Sequence, residues 1–361
     1  MFSEILFPLG TLLYSSFLGL ATLGLILSRK KTRSAALQPI SIIIAARNEA
    51  ENLPRLLRSL DALNYPKDLY EIIIVSDHST DHSLEIISSF SEVPNLRLID
   101  FQDSLPGLTG KKAALQTGID QACYDILAFT DADCEVPSTW LQAINNQFSP
   151  NTDYLLSYSL IKRIEGGSSF RLKNFERSIY YALASAGLFF RHPITSSACN
   201  HAYRKSAFLD CGGFDGIGEI RSGDDDLLLM KMMPFIRETR FSADPEALVI
   251  SYDGTNRKAH HHTNIRRASK FRYFPLWLKL LAAFIFIYFI SFYYALLFSG
   301  ATTEYWILLK IAIELLLSLT ILNRARQLHL LLLYPVQILL FPLQFVYYAT
   351  RGTLGKYSWK Q

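Results

Sequence analysis

Two carboxylates one residue apart, Asp131 and Asp133, stand where the apolar run Ile126-Leu127-Ala128-Phe129-Thr130 stops. A short run of bulky apolar residues bounded by polar ones reads as a buried strand, which puts both acids at a strand end. Such a pair can share a hard divalent cation, Mg²⁺ or Mn²⁺, that takes oxygen ligands and keeps open positions for phosphate oxygens. The chemistry that follows is neutralisation of the charge developing on a departing diphosphate. An acidic turn is the plainer account of Asp-Ala-Asp alone, so the rest of the chain has to decide.

Further clusters carry chemistry of the same kind. Glu49 and Asp77 suit hydrogen bonds to a base and a ribose, Lys111 suits a diphosphate, and Asp131 suits either ribose or metal. A carboxylate from Asp224, Asp225 or Asp226 can take the proton of an attacking hydroxyl, because crowded like charges raise a carboxylate's pKa towards a useful range. Each cluster also has a structural alternative. Asp77 and Asp81 can cap a helix, the acids 224–226 can face a helix dipole, and Lys111 and Lys112 can be solvated. Their joint order along the chain favours a site.

Strand-like runs at Ile40–Ala45, Tyr70–Ser76, Asn95–Ile99 and Tyr124–Thr130 alternate with helix-like stretches at Ala50–Leu63, Asp81–Phe90 and Lys111–Ala122. That alternation predicts βαβ units and a mainly parallel sheet, in an α/β fold. Ligands of such sheets bind at the carboxyl ends of the strands, where Arg47-Asn48-Glu49, Asp77 to Asp81 and Asp131-Ala132-Asp133 fall.

Half of the 361 residues are hydrophobic and the mean hydropathy is +0.17, which predicts a soluble domain joined to membrane segments. The expected organisation is an N-terminal anchor over 1–28, a domain over 39–257, an amphipathic interface helix over 258–275, membrane helices over 276–350 and a basic tail over 351–361. Arg29, Lys30, Lys31 and Arg33 follow the first apolar run, so the positive-inside rule puts the domain in the cytoplasm of a multi-pass protein of the inner membrane. No basic stretch precedes that run and no small-residue cleavage site follows it, which argues against a signal peptide.

The last run holds Pro335 and Pro342 and is expected to be kinked, re-entrant or interfacial, since a simple crossing would strand Arg351, Lys356 and Lys360 outside. Basic residues beside apolar segments, Arg266, Arg267 and Lys270 among them, point to an anionic lipid surface rather than nucleic acid. His260, His261 and His262 are consecutive and point in different directions on a helix, so they make no ligand set. The four cysteines form no CxxC pair, read as reduced cytosolic thiols, and are given no function. A transporter is disfavoured by the absence of repeated membrane segments and by spans read as free of charge. An inactive nucleotide-binding scaffold is opposed by the intact acids. Oligomeric state is not encoded in any of these features.

Several motifs, in order, make the chain resemble the membrane-bound family-2 glycosyltransferases, the nucleotide-sugar-dependent group that includes dolichyl-phosphate mannose synthases, ceramide glucosyltransferases and processive polysaccharide synthases. Ser41 to Glu49 is similar to the family's first strand and nucleotide loop, and Ile74 to Asp81 to its second, with Asp77 as the acid that meets the base. Gly110 to Leu115 is similar to the Gly-Lys segment beside the diphosphate, with Gln116 where Asn is more usual. Asp131-Ala132-Asp133 matches the metal-binding DxD, and Asn200 to Phe208 with Gly212-Gly213-Phe214 resembles the acceptor-side segment.

Ser222-Gly223-Asp224-Asp225-Asp226-Leu227 matches the place of the catalytic base, which is Asp225 in one register and Asp224 in the other. The resemblance implies a GT-A domain with a Rossmann-like mixed sheet and an inverting transfer. The sugar would pass from a nucleotide-diphosphate sugar, with Mg²⁺ or Mn²⁺ at Asp133 and Asp131, to a hydroxyl or phosphate of a membrane lipid. Processive synthases continue with Gln-x-x-Arg-Trp. Thr263 to Arg267 retains only an arginine, which argues for one sugar per acceptor over a polysaccharide synthase.

Overall fold

The computed structural model describes residues 5–28, 36–90, 92–93, 95–163, 169–220, 222–253, 264–265, 268–298 and 303–354. It falls into two compact units, one of Leu27–Ile164 and Gly187–Asp253, the other of Met1–Ile26, Glu165–Ala186 and Gly254–Gln361. The helices in chain order are α1 (Phe7–Leu27), α2 (Leu53–Asp61), α3 (Ser83–Ser89), α4 (Lys111–Gln121), α5 (Trp140–Asn145), α6 (Ser169–Phe189), α7 (Lys205–Asp210), α8 (Asp226–Met232), α9 (Leu276–Phe298), α10 (Glu304–Arg324) and α11 (Tyr334–Leu354).

The first unit is built on a seven-stranded mixed sheet. Its strands are β1 (Ile40–Ala46), β2 (Tyr70–Asp77), β3 (Leu96–Phe101), β4 (Ile126–Phe129), β6 (Thr152–Ser157), β8 (His201–Arg204) and β9 (Glu238–Ser242). They lie in the order β3-β2-β1-β4-β8-β6-β9. β1 pairs in parallel with β2 and β4, whereas β8 runs antiparallel to β4 and β6. Ile42, Ile43, Ile44, Ile72, Ile73 and Ile74 have no exposed surface, as central parallel strands covered on both faces require. A smaller sheet joins β5 (Cys134–Glu135), β10 (Val249–Asp253) and β7 (Ser159–Arg163). It holds the chain just past the strand-end acids, where Tyr252 N donates to the Asp133 carbonyl at 3.1 Å.

Side-chain hydrogen bonds join the loops that leave β1 and β2. Asn48, at φ 53°, accepts from Thr80 N at 2.8 Å, Asp81 accepts from Ala50 N at 3.0 Å, and Ser83 Oγ accepts from Glu49 N at 2.9 Å. Asp81 also accepts from its own neighbour Ser83, so it fixes both loops at once. Gly110, immediately before α4, takes φ 59° and ψ −137°, a backbone region that residues with a Cβ rarely enter. That turn sets the direction in which Lys111 leaves the loop.

Among the described residues, four helical segments are long and apolar enough to cross a membrane, at Phe7–Leu27, Leu276–Phe298, Glu304–Arg324 and Leu328–Gly352, and they make up most of the second unit. α6 belongs to this unit as far as Ala186, with Phe175 against Tyr334 and Tyr180 against Phe341. The spans are not free of charge, which corrects the expectation from sequence. Lys310 and Glu314 face each other at 2.7 Å inside α10, Lys310 is fully buried, and its ammonium sits 4.5 Å from the centre of the Phe292 ring. Glu314 also accepts from Tyr14 of α1 at 2.8 Å and from Tyr334 of α11 at 3.0 Å. One ion pair thus ties three helices, an arrangement that lets two charges stay out of water.

The last segment has a definite direction. α1 and α9 lie antiparallel, with Phe7 by Phe292 and Tyr14 by Tyr288, and Arg324 at the end of α10 donates to the Leu25 carbonyl at 2.7 Å. After Arg324 the chain turns back through a 3₁₀ helix at Leu328–Leu333, so that Tyr334 reaches Glu314 near the middle of α10. α11 then runs antiparallel to α9. Tyr293 Oη donates to the Leu339 carbonyl, Phe289 packs on Phe341 and Phe345, and a side chain at Gly352 would meet Ala268. Pro335 occupies the first turn, where no amide proton is needed, and Pro342 lies within the helix.

The cations expected at lipid headgroups fare differently. Arg266 and Arg267, like His260 to His262, lie outside the described residues, and Lys270 is buried at 6 % exposure within a 3₁₀ helix, Lys270–Tyr273. The end of α11 therefore stands at the same end of this unit as Ala268 and Leu25. We expect a cysteine introduced at Ser358 to escape a membrane-impermeant thiol reagent applied outside intact cells, and one at Thr302 to react. Labelling at Ser358 from outside would overturn that topology.

Candidate active site

The acids found in the sequence converge at the edge where β1, β2 and β4 end. Asp131 and Asp133 leave β4 after Thr130, and Lys111 at the start of α4 makes a short ion pair with Asp131 and a second, at 3.2 Å, with Asp224. Asp224 lies 93 positions from Asp131 in the chain, and it is the lysine that brings these two carboxylates to one place. Burial works against the Lys111 charge, but Asp131 and Asp224 outweigh it and raise the pKa far above the ordinary lysine value.

Asp133 has the opposite problem. Partial burial first, then the neighbouring Asp131 and Glu49 carboxylates, push its pKa up to about 7. Glu49 is held in position by Asn52, which donates to it at 2.7 Å. Among the described residues, Asp131, Asp133, Glu49 and Asp224 thus gather near Lys111 at one sheet edge, a set of hard oxygen donors. That donor set fits Mg²⁺ or Mn²⁺.

Asp77 stands apart from this group at the end of β2. It is buried, contacts His78 Nδ1 at 2.7 Å and has the Arg47 guanidinium 4.0 Å away. Asp225 caps α8, accepting from Asp226 N at 2.7 Å, and Asp226 accepts from Leu227 N at 2.8 Å. The three successive acids thus divide: Asp224 turns to Lys111, while Asp225 and Asp226 receive the first amides of a helix.

Lys111 and Lys112, adjacent and chemically identical, have different roles. Lys112 is 2 % exposed and donates to the carbonyls of Ile217, Ile220 and Ser222 at 2.6 to 2.9 Å. Thr109 N adds a bond to the Gly218 carbonyl, so the segment that delivers Asp224 is held against the segment that delivers Lys111. His201 lies in the 200–208 segment that resembles the acceptor side, and sequence reasoning gave it no individual role. Its ring is stacked on Phe129 at 4.9 Å, and burial lowers its pKa although Asp225 opposes the shift. Nδ1 faces the Ser197 carbonyl at 3.1 Å, and a carbonyl only accepts, so Nδ1 bears the proton and the neutral ring offers Nε2 as an acceptor.

This mixed sheet, with its acids at the parallel strand ends, defines the GT-A class of transferases, and the comparisons agree. Residues 41–212, a little under half of the chain, match the model of Glycosyl transferase family 2, so this stretch carries that family's domain. The match ends before Asp224, so the acids of α8 rest on the geometry above. Glycosyltransferase AglE of Haloferax volcanii is 38 % identical over 103 residues, 28 % of this chain and 33 % of that protein. A beta-monoglucosyldiacylglycerol synthase of Trichormus variabilis is 31 % identical over 132 residues, 35 % of this chain and 28 % of that protein. The matched stretches thus span a third or less of these relatives.

The mannosyltransferase PcManGT from Pyrobaculum calidifontis, solved with GDP-Man and Mn²⁺, shares the fold at a TM-score of 0.58 and 17 % identity. The superposition covers 93 % of this chain and 96 % of that one.

The raised Asp133 pKa has a measurable consequence. A protonated carboxyl is a poor ligand, so Mn²⁺ affinity should be highest above pH 7 and fall about tenfold per pH unit below it. Calorimetric titration of Mn²⁺ at successive pH values measures this. Asp133→Asn should abolish binding at every pH, and a pH-independent affinity would contradict the assignment.

Proposed function

We propose that the chain transfers one sugar, with inversion, from a nucleotide-diphosphate sugar to a hydroxyl or phosphate of a membrane lipid. The observation that carries this reading is Lys111 bridging Asp131 and Asp224, which joins donor-side and acceptor-side acids in one site. Asp133 and Asp131 would hold Mg²⁺ or Mn²⁺, which when bound neutralises charge on the leaving diphosphate. Lys111 adds a fixed cation beside the same charge. Asp77 and Glu49, on the two joined loops, hydrogen-bond the base and ribose and so orient the donor.

The acceptor's proton goes to Asp225. Asp224 is engaged by the Lys111 ammonium at 3.2 Å, whereas Asp225 accepts from a backbone amide, Asp226 N, at 2.7 Å at the start of α8. Neutral His201 lies close enough to Asp225 and Asp224 to feel both charges and adds no cation to compete with them.

A lipid acceptor is supported by the four apolar helices and by the path of the chain, which leaves the sheet unit at Ile164, runs through α6 in the helical unit and returns at Gly187. A relative named as a glucosyldiacylglycerol synthase supports the same class. Relatives named as poly-beta-1,6-N-acetyl-D-glucosamine synthases are also found, one from Staphylococcus epidermidis at 35 % identity over 28 % of this chain. The missing Gln and Trp at Thr263 to Arg267 favour a single transfer over a polymer. Basic residues after α1 favour a cytoplasmic sheet unit.

Asp225→Asn should leave nucleotide-sugar binding intact and lower turnover by roughly 10²-fold or more, since the electrophilic side of the site is untouched. A dead Asp224→Asn beside an active Asp225→Asn would move the base by one residue. In membranes supplied with a labelled sugar nucleotide, label should partition into the organic phase with lipid. Label found only on soluble glycan or protein would exclude a lipid acceptor.

A further inference from the structure

Behind the strand-end acids the fold assembles two thiols that the transfer does not use. Cys134 opens β5, one residue after Asp133, and Cys199 lies 65 positions further on, just before β8. Both are buried, at 1 % and 5 % exposure, and neither is part of a disulfide. The carboxylate of Asp131 and the two sulfurs all lie within 4.8 Å of one another. Tetrahedral Zn²⁺, with bonds of roughly 2.0 to 2.3 Å, sets its ligands about 3.3 to 3.8 Å apart, so contraction by about an ångström would close this triad on an ion.

We propose that Asp131, Cys134 and Cys199 form a second cation site, selective for thiophilic ions such as Zn²⁺ or Cd²⁺, that competes with the donor metal for Asp131. Two sulfurs and one oxygen are a softer set than Asp133 and its carboxylate neighbours, so the two sites sort ions by ligand type. Both thiols give up their protons to solvent as the ion binds, and a water completes the fourth position. Hydroxyls surround the second sulfur, with Ser159 Oγ at 3.1 Å and Ser197 Oγ at 3.2 Å from Cys199 Sγ, where they can donate to a thiolate. Asp131 keeps 32 % of its side-chain surface exposed and supplies the path of entry. An ion there draws Asp131 away from Lys111 and from the donor's cation, so occupancy switches transfer off.

The test is direct titration of the reduced, metal-stripped full chain with Cd²⁺, read by thiolate charge-transfer absorbance. One equivalent should bind. Cys134→Ser and Cys199→Ser should each weaken binding by roughly 10²-fold or more, Asp131→Asn should weaken it less, and Cys123→Ser should leave it unchanged. Absence of the absorbance in the wild-type chain, or its persistence in Cys199→Ser, would overturn the proposal. Should Cys199→Ser fail to fold, Cys199→Ala takes its place, with thermal unfolding as the check. No donor or acceptor enters this titration, so a negative result leaves the transferase reading intact, and a failure of transfer leaves this site intact. In turnover assays with Mn²⁺, the wild-type chain should lose activity at one equivalent of Zn²⁺ while Cys199→Ala retains it.

Discussion

The site depends on the charge imbalance at the end of β4. Asp131, Asp133, Glu49 and Asp224 bring four carboxylates to one sheet edge, and Lys111 is the cation that pairs with two of them. Like charges in a partly buried place repel strongly, and a fold that holds them together without a ligand gives up stability to do so. The surrounding bonds read as the structure's means of enforcing that proximity. Lys112 clamps the 217–222 segment, Asp81 and Asn48 join two loops, and the small sheet grips the backbone past Asp133. On the proposed reading, a donor carrying a diphosphate and a divalent ion would change this balance on binding, so that binding energy would organise the reacting groups.

The half of the fold that was legible in the sequence is the half whose signals are local. β1, β2 and β4 are unbroken apolar runs, and α2, α3 and α4 follow them at the spacing that parallel strands demand, so their limits were placed to within a few residues. The antiparallel half left no comparable mark. β8 is the four-residue stretch His201–Arg204, and its place between β4 and β6 is set by tertiary pairing rather than by pattern. α6 shows the same limit, because its weakly segregated apolar residues gain their partners only from Tyr334 and Phe341, more than a hundred positions away.

The site divided in a similar way. Residue types and order singled out Asp131, Asp133, Lys111 and Glu49 as candidates, since a strand end, a Gly-Lys turn and a paired acid are each written in contiguous residues. The difference between Lys111 and Lys112 was not written there. One lysine faces two carboxylates and the other three backbone carbonyls, a distinction decided by which side of the first turn of α4 each side chain leaves. Cys134 and Cys199 stayed silent for a related reason, because ligand spacing is readable only when both ligands come from one short segment.

The helical unit shows why a charged pair inside an apolar span shapes topology. Lys310 alone would be a buried cation and Glu314 alone a buried anion, each costly in hydrocarbon, and even paired they leave an acid oxygen to be satisfied. Tyr14 supplies one hydroxyl from a helix that the chain has already placed. The second comes from Tyr334, which follows Arg324 by ten positions although Arg324 ends α10 ten positions beyond Glu314. Only a segment that turns back along α10 can deliver it, and the 3₁₀ helix at Leu328–Leu333 is that segment. Once Tyr334 is fixed at mid-helix, α11 has its start within the apolar layer and its remaining length leads back to the end it came from, where Gly352 meets Ala268. The ion pair and the returning helix are therefore one feature: polar satisfaction inside the layer sets where the chain turns, and the turn keeps Gly352, near the end of α11, on the side of Leu25.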